Sequence, residues 1–273
     1  MTPSPGGELV RRVLSALVLG AGALAAAVFG DLPFLLFWTG AAFWVWWEWI
    51  GIIAASPRIL VLAIGGVAIT GMATALGFDA PAIAFIATVI GAGVVAATAT
   101  PQRTWAAGGM VYAAVVLVPC VMLRSDPALG LAAILWLFAV VWAADIAAYF
   151  TGRYFGGPRL AAAISPNKTW SGALGGALGG VVAGSATVLA FGLQWRVIHL
   201  AIALVVVIGA QIGDLFESAM KRRFGVKDAS QLIPGHGGLM DRLDGFLAAA
   251  TVALAIGLSR AGAGGAATGL LAW

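Results

Sequence analysis

Charge is scarce in this sequence: Asp, Glu, Lys and Arg make up 10% of its 273 residues, against about 25% in a soluble domain. With 62% hydrophobic residues and a mean hydropathy of +1.01, that scarcity excludes a soluble globular domain and makes the chain an integral membrane protein. Cysteine is nearly absent too. Cys120 stands alone in an apolar run, so no internal disulfide can form and the thiol is expected as a buried structural group. Barrel strands are also missing, since they would run about 10 residues and alternate in polarity. The apolar runs here extend about 18–22 residues, the length of helices crossing about 30 Å of hydrocarbon. No Walker-type glycine loop occurs, which argues against an ordinary nucleotide-hydrolysing pump.

What the sequence has in quantity is glycine, 38 residues, beside many alanines, a composition suited to tight helix–helix contacts in lipid. Apolar runs cover about 13–30, 32–55, 59–76, 81–100, 104–123, 129–150, 172–193, 197–216 and 244–259. The expected fold is therefore an all-α polytopic membrane protein with about nine transmembrane helices and a cytoplasmic N-terminus. Residues 1–12, ending in Arg11-Arg12, and the run behind them imitate a signal peptide. The many spans that follow favour an uncleaved first helix. Nine spans put Arg11, Arg12, Arg58, Arg103, Arg153, Arg159, Lys168, Lys221, Arg222, Arg223, Lys227 and Arg242 inside, and Arg124, Arg196 and Arg260 outside. This split of 12 against 3 among the 15 cations sets the orientation. The chain is expected to be one integral-membrane domain, 1–273, multi-pass in the inner (cytoplasmic) membrane. The tail from Arg260 is too short to span.

One stretch, 214–244, concentrates the charge. It holds the cations Lys221, Arg222, Arg223, Lys227 and Arg242 and the anions Asp214, Glu217, Asp228, Asp241 and Asp244. The balance is even, so this is no simple basic patch. Mixed carboxylates and cations beside Pro234-Gly235-His236-Gly237-Gly238 suggest metal and phosphate chemistry instead.

Three acids fall within apolar runs: Glu48, Asp145 and Asp214. Each costs roughly 2.5–3.5 kcal/mol at a helix centre and needs a partner or a wet cavity. Glu48, flanked by tryptophans, reads equally well as an interfacial residue. Asp145 and Asp214 sit near cytoplasmic helix ends, and Asp214 shares a helical face with Gln211. Asp241 and Asp244 are three apart and share a face as well. Asp214 and Asp241 are the metal candidates, because hard carboxylate oxygens suit Mg²⁺. Lys221 and Lys227 offer phosphate a point charge, and Arg222 and Arg242 a fork. For Arg223, attraction to anionic lipid is explanation enough. Gly237 and Gly238 let backbone N–H groups approach an anion. His236 is a candidate base or phosphate-orienting group; a phosphate monoester is already anionic near neutral pH, which favours the second role. Ser and Thr in 165–171 are helix-start chemistry, and Lys168 there adds charge to an anion site. His199, at the start of an apolar run, is expected at the interface.

The charged stretch resembles the signature of the phosphatidate cytidylyltransferases (CDP-diacylglycerol synthases). That pattern runs Ser-x-apolar-Lys-Arg, four residues, Lys-Asp, then His-Gly-Gly-x-x-Asp-Arg-x-Asp. Here it is filled by Ser218, Lys221, Arg222, Lys227, Asp228, Ser230, Pro234, His236, Gly237, Gly238, Asp241, Arg242 and Asp244. The stretches 145–152 and Ser165-Pro-x-Lys168-Thr169 look like further family blocks, while Asn167 and Ser171 depart from them and receive no direct role. The first 130 residues match only in hydropathy, so 124–273 carries the catalytic signature, with 214–244 as its core loop. The resemblance implies condensation of CTP with phosphatidic acid to CDP-diacylglycerol and pyrophosphate, with Mg²⁺ at Asp214 and Asp241. It implies catalytic roles for Asp214, Asp241, Lys227 and His236. Substrate contacts fall to Ser165, Lys168, Asp145, Ser218, Lys221, Arg222, Asp228, Gly237, Gly238, Arg242 and Asp244. The partners are CTP, phosphatidic acid and the bilayer, with no nucleic acid; a second cation and a homodimer stay open.

Two rivals remain, and a third fails. Asp241-Arg-Leu-Asp244-Gly245 begins like a CDP-alcohol phosphotransferase motif, but Ala249 stands where that motif needs Arg and no acid follows Asp244. A CTP-dependent polyprenol or lipid kinase is the alternative enzyme. A secondary transporter using Asp145 and Asp214 is the alternative of another class, and it lacks the expected pair of matching interrupted helices.

Overall fold

The computed structural model describes residues 5–233 and 237–273. Its long helices are α1 (Pro5–Phe29), α2 (Asp31–Ile53), α3 (Arg58–Gly77), α4 (Pro81–Thr98), α5 (Arg103–Arg124), α6 (Gly130–Phe155), α7 (Trp170–Ala190), α8 (Ile198–Arg223) and α9 (Met240–Ala261). Between α6 and α7 lies an antiparallel hairpin of β1 (Arg159–Ala161) and β2 (Ser165–Thr169); a 3₁₀ turn (Ala263–Gly265) and the short α10 (Ala266–Leu271) follow α9. Among the described residues, seven helices, α3 to α9, are long and apolar enough to cross a membrane. The chain is a multi-pass, all-α membrane protein. Large apolar side chains such as Val67, Ile83, Phe85, Leu174 and Val182 remain exposed, as lipid-facing side chains must.

The chain divides into two compact units. In the first, Met1–Val121 with Phe224–Leu243, α3 packs chiefly on α4 and on α2. Tryptophans of α2 build its core. Trp46 Nε1 donates to Leu62 O (3.3 Å) and Trp49 Nε1 to Trp105 O (2.8 Å). A Cβ at Gly65 or Gly109 would run into these two indoles, so each glycine makes room for a ring.

In the second unit, Met122–Arg223 with Asp244–Trp273, α6 packs along α7 more extensively than any other pair of elements. The cause is a glycine face on α7. Gly172, Gly176, Gly180 and Gly184 are buried, and a Cβ on Gly176 or Gly180 would lie 2.9 Å from Ala144 O or 3.0 Å from Val140 O. With no side chains between them, the backbones approach closely, as small-residue helix pairs in lipid do. Trp136 Nε1 closes the seam by donating to Gly184 O (3.0 Å).

Three features add to the expected fold. The β1–β2 hairpin interrupts an otherwise all-α fold that the apolar runs alone predict. The tail from Arg260 is folded: α10 is buried, and the N–H of Thr268 donates to Asp126 Oδ2 (2.7 Å). His199 is buried at the start of α8 rather than interfacial, with Nε2 3.1 Å from Leu271 O.

Candidate active site

The charged stretch is less of a loop than expected. α8 runs to Arg223, about two turns past the apolar run, so Asp214, Glu217, Ser218, Lys221, Arg222 and Arg223 all lie on one helix. Among the described residues of the stretch, only those between α8 and α9 are non-helical. The extension is stabilised by Glu217, fully buried, which pairs with Lys221 one turn on (2.7 Å). Burial of an ammonium requires such a partner.

In the second unit, β2 delivers Lys168 to Asp214, and the two form an ion pair. The local sequence explains the delivery. The Thr169 hydroxyl accepts from Gly172 N (3.1 Å) and so caps α7, while the Ser171 hydroxyl donates to Gly156 O at the end of α6. Lys168 is therefore fixed one residue before the cap of α7. Asp244 lies within electrostatic reach of Asp214, Lys168 and Lys221. Two glycines make that possible. A Cβ on Gly213 would fall 2.7 Å from Asp244 O, and one on Gly245 would fall 3.2 Å from Ala210 O. Each aspartate thus sits beside a glycine that lets α8 and α9 touch, and the dipeptides Gly213-Asp214 and Asp244-Gly245 were the available signal. Gln211 Nε2 donates to Ala173 O (3.1 Å), tying α8 to α7. Ser165 and Ser218 are half-buried, Arg222 is exposed, and Asp145 is exposed on α6.

In the first unit, the residues after α8 fold around two carboxylates. Phe224 sets its ring edge-on against Trp105 (5.2 Å between centroids). Asp241 Oδ2 accepts from the N–H of Ala229 (2.8 Å) and of Gly238 (2.8 Å). Glu48, buried at 1% exposure, takes three further donors. Its Oε1 accepts from the Ser230 hydroxyl (2.7 Å) and Leu239 N (2.9 Å), and its Oε2 accepts from Met240 N (2.7 Å). Glu48 is no interfacial residue; it caps α9 from a remote helix. Gly237 holds φ 82, left-handed backbone that favours glycine, and a Cβ there would lie 2.8 Å from Asp241 Oδ2. Lys227, Asp228 and Arg242 are exposed. Pro234 and His236, both assigned from the signature, lie outside the described residues.

Among the described residues no three His, Cys, Asp or Glu side chains gather as a metal site. The donor chemistry at Asp214 nevertheless fits a hard cation, because carboxylates of Asp214 and Asp244 lie in mutual electrostatic reach and an ammonium offsets them. Asp241 commits one oxygen to the backbone. Lys168, a residue the sequence places at an anion site, is neutralised by a carboxylate. An arriving cation or phosphate could each take one partner of that pair.

Residues 10–259 match the model of a family described as the cytidylyltransferase family. Proteins named phosphatidate cytidylyltransferase from Brucella suis biovar 1 (strain 1330) and Brucella melitensis biotype 1 are each 40% identical over 249 residues, covering 90% of this chain and 92% of theirs. A protein of the same name from Haemophilus influenzae is 44% identical over 135 residues, 45% of each chain.

Proposed function

Because the chain belongs to the cytidylyltransferase family, we propose that it condenses CTP with phosphatidic acid, giving CDP-diacylglycerol and pyrophosphate. The observation that carries this reading is the Lys168–Asp214 pair, with Asp244 and Lys221 in reach, set among helices apolar enough to cross a membrane. A lipid substrate carries its phosphate at the membrane boundary, where ends of spanning helices can meet it.

In the proposed reaction a phosphatidate oxygen attacks the α-phosphorus of CTP in line. The bond from that phosphorus to the bridging oxygen breaks, and pyrophosphate leaves. The attacking monoester has a second pKa of about 6 and is anionic near neutral pH, so no strong base is required. Lys168, Lys221, Arg222, Lys227 and Arg242 hold and neutralise phosphate oxygens, Ser165, Ser218 and Gly237 add hydrogen-bond donors, Gly238, whose N–H is held by Asp241, leaves room for phosphate to approach the backbone, and His236 orients phosphate. Asp145, Asp228 and Asp244 complete the substrate surroundings. Asp214 and Asp241 would hold Mg²⁺, which when bound neutralises triphosphate charge and stabilises the leaving group. Catalysis is then mostly positioning and charge stabilisation.

In this reading 1–273 form a single integral-membrane domain of nine spans, α1 and α2 included, with 124–273 carrying the signature. The N-terminus and the charged stretch face the cytoplasm and the protein resides in the inner membrane, supported by the 12-to-3 distribution of cations. The test is which phosphate of CTP reaches lipid. Label at the α-position should appear in the lipid product; label at the γ-position reaching lipid instead would establish a kinase and overturn the proposal.

A further inference from the structure

Glu48 takes no part in the charged stretch, yet it holds that stretch at two places. A carboxylate buried at 1% exposure among tryptophans is costly unless both oxygens are satisfied. Here they are, by three donors: the Ser230 hydroxyl and the N–H groups of Leu239 and Met240. All three belong to the segment that ends in Asp241. A helix N-terminus leaves its first N–H groups without intrahelical partners, and an aspartate in the first turn is the ordinary residue to take them. At α9 the work is divided. Asp241 accepts from Gly238, and Glu48 accepts from Leu239 and Met240. Asp241 is thereby relieved of the two donors that follow Gly238.

Gly238 fits the same arrangement. A Cβ there would lie 2.8 Å from Glu48 Cδ and 2.9 Å from Ala229 Cβ, so the residue must be glycine for the carboxylate to reach α9. Glu48 itself is held by its neighbour Trp49, which donates to Trp105 O (2.8 Å) and lies 5.1 Å from the Tyr112 ring. The clamp is thus anchored on a packed aromatic core, as a supporting shell for a functional carboxylate should be.

We infer that Glu48 is a positioning residue for the transfer reaction: by capping α9 from α2 and fixing Ser230, it spares Asp241 the Leu239 and Met240 donors and holds it in its working orientation. This rests on the function proposed above. Without Glu48, the N–H groups of Leu239 and Met240 would compete for the Asp241 carboxylate and turn it toward its own helix.

The test uses the full-length protein in lipid nanodiscs with Glu48→Gln, which keeps shape but places an amide NH₂ against a donor, and with Gly238→Ala, which crowds the carboxylate from the other side. Amide exchange at Leu239 and Met240 should quicken at least tenfold in both variants while exchange in α7 stays as in the parent. kcat per folded molecule should fall at least tenfold, with KM for CTP within threefold, whatever the fall in thermal midpoint. A merely structural role would lower the midpoint and leave kcat per folded molecule intact, and that result overturns the inference. So does parental exchange at Leu239 and Met240 in either variant. If the parent protein makes no CDP-diacylglycerol, the proposed function fails, whereas the exchange measurement still decides the clamp.

Discussion

Replacing Lys168 with methionine removes the ammonium paired with Asp214 and leaves the Asp214 carboxylate beside a second carboxyl group, Asp244, within electrostatic reach. Two unit charges about 4 Å apart interact by about 1 kcal/mol in water and about 4 kcal/mol at an effective dielectric of 20. The side chains of Lys168 and Asp214 are 28% and 34% exposed, so solvent screens the pair toward the lower value. A coupling of about 1–2 kcal/mol is expected after that discount. Methionine retains most of the apolar stem, so little packing is lost. Lys168→Met should therefore destabilise by roughly 1–2 kcal/mol. Asp214→Asn should cost less, because Lys168 keeps Asp244 in reach. The double variant should be more stable than Lys168→Met alone, since removing the Asp214 charge also relieves its repulsion with Asp244. A double-mutant cycle on unfolding in detergent micelles measures the coupling. If the double variant lies at the sum of the two singles, the pair is not a stabilising contact and the reasoning fails.

Asp214→Asn and Asp241→Asn should each lower turnover by at least about 10²-fold in a CDP-diacylglycerol assay, the scale of losing one preorganised charge-stabilising group; near-parental turnover in either would remove it from the site. Lys221→Ala, Lys227→Ala and Arg242→Ala should impair kcat/KM far more than Arg223→Ala, and Arg242→Lys should not restore full activity at saturating CTP if a guanidinium fork is what phosphate needs. At Asp126 burial opposes the charge, but N–H groups of Thr268, Leu129 and Ala128 and the Thr268 hydroxyl outweigh it and hold the carboxyl below its usual range. Its folded value being depressed, its contribution is complete above the unfolded value of about 3.9 and is lost as pH falls through the folded one. Unfolding midpoints between about pH 5 and pH 2 should thus fall more steeply in the parent than in Asp126→Asn; parallel slopes would show that the Thr268 bonds carry no linkage. Arg223→Cys, at an exposed position outside the proposed site, should be labelled by a membrane-impermeant thiol reagent only from the cytoplasmic side; labelling from the opposite side alone would reverse the proposed orientation.

Helix positions were legible because lipid imposes length and apolarity together, and the apolar runs had few charges to blur them. Helix ends were not. α8 continues through Glu217 and Lys221 because a buried i, i+4 ion pair replaces apolar contact, which hydropathy cannot register. The importance of Asp214 and Asp241 could be argued from charge in an apolar setting, but their immediate partners could not. Lys168 reaches Asp214 through a short polar hairpin whose strands carry no apolar alternation. Glu48 was visible as an acid in need of a partner, yet its hydroxyl donor lies 182 residues away, and no local pattern spans that distance. The small-residue content pointed to close helix packing in general; which glycines face which backbone emerged only from the α6–α7 and α8–α9 approaches.

The proposed activity is transfer of a cytidylyl group to a lipid phosphate. The most direct measurement incubates the purified protein in nanodiscs with CTP, phosphatidic acid and Mg²⁺ and follows CDP-diacylglycerol and pyrophosphate together. Equimolar formation of both, lost in Asp214→Asn, is the predicted result. CTP turnover that yields CDP without CDP-diacylglycerol, or no reaction from a folded protein, would contradict it.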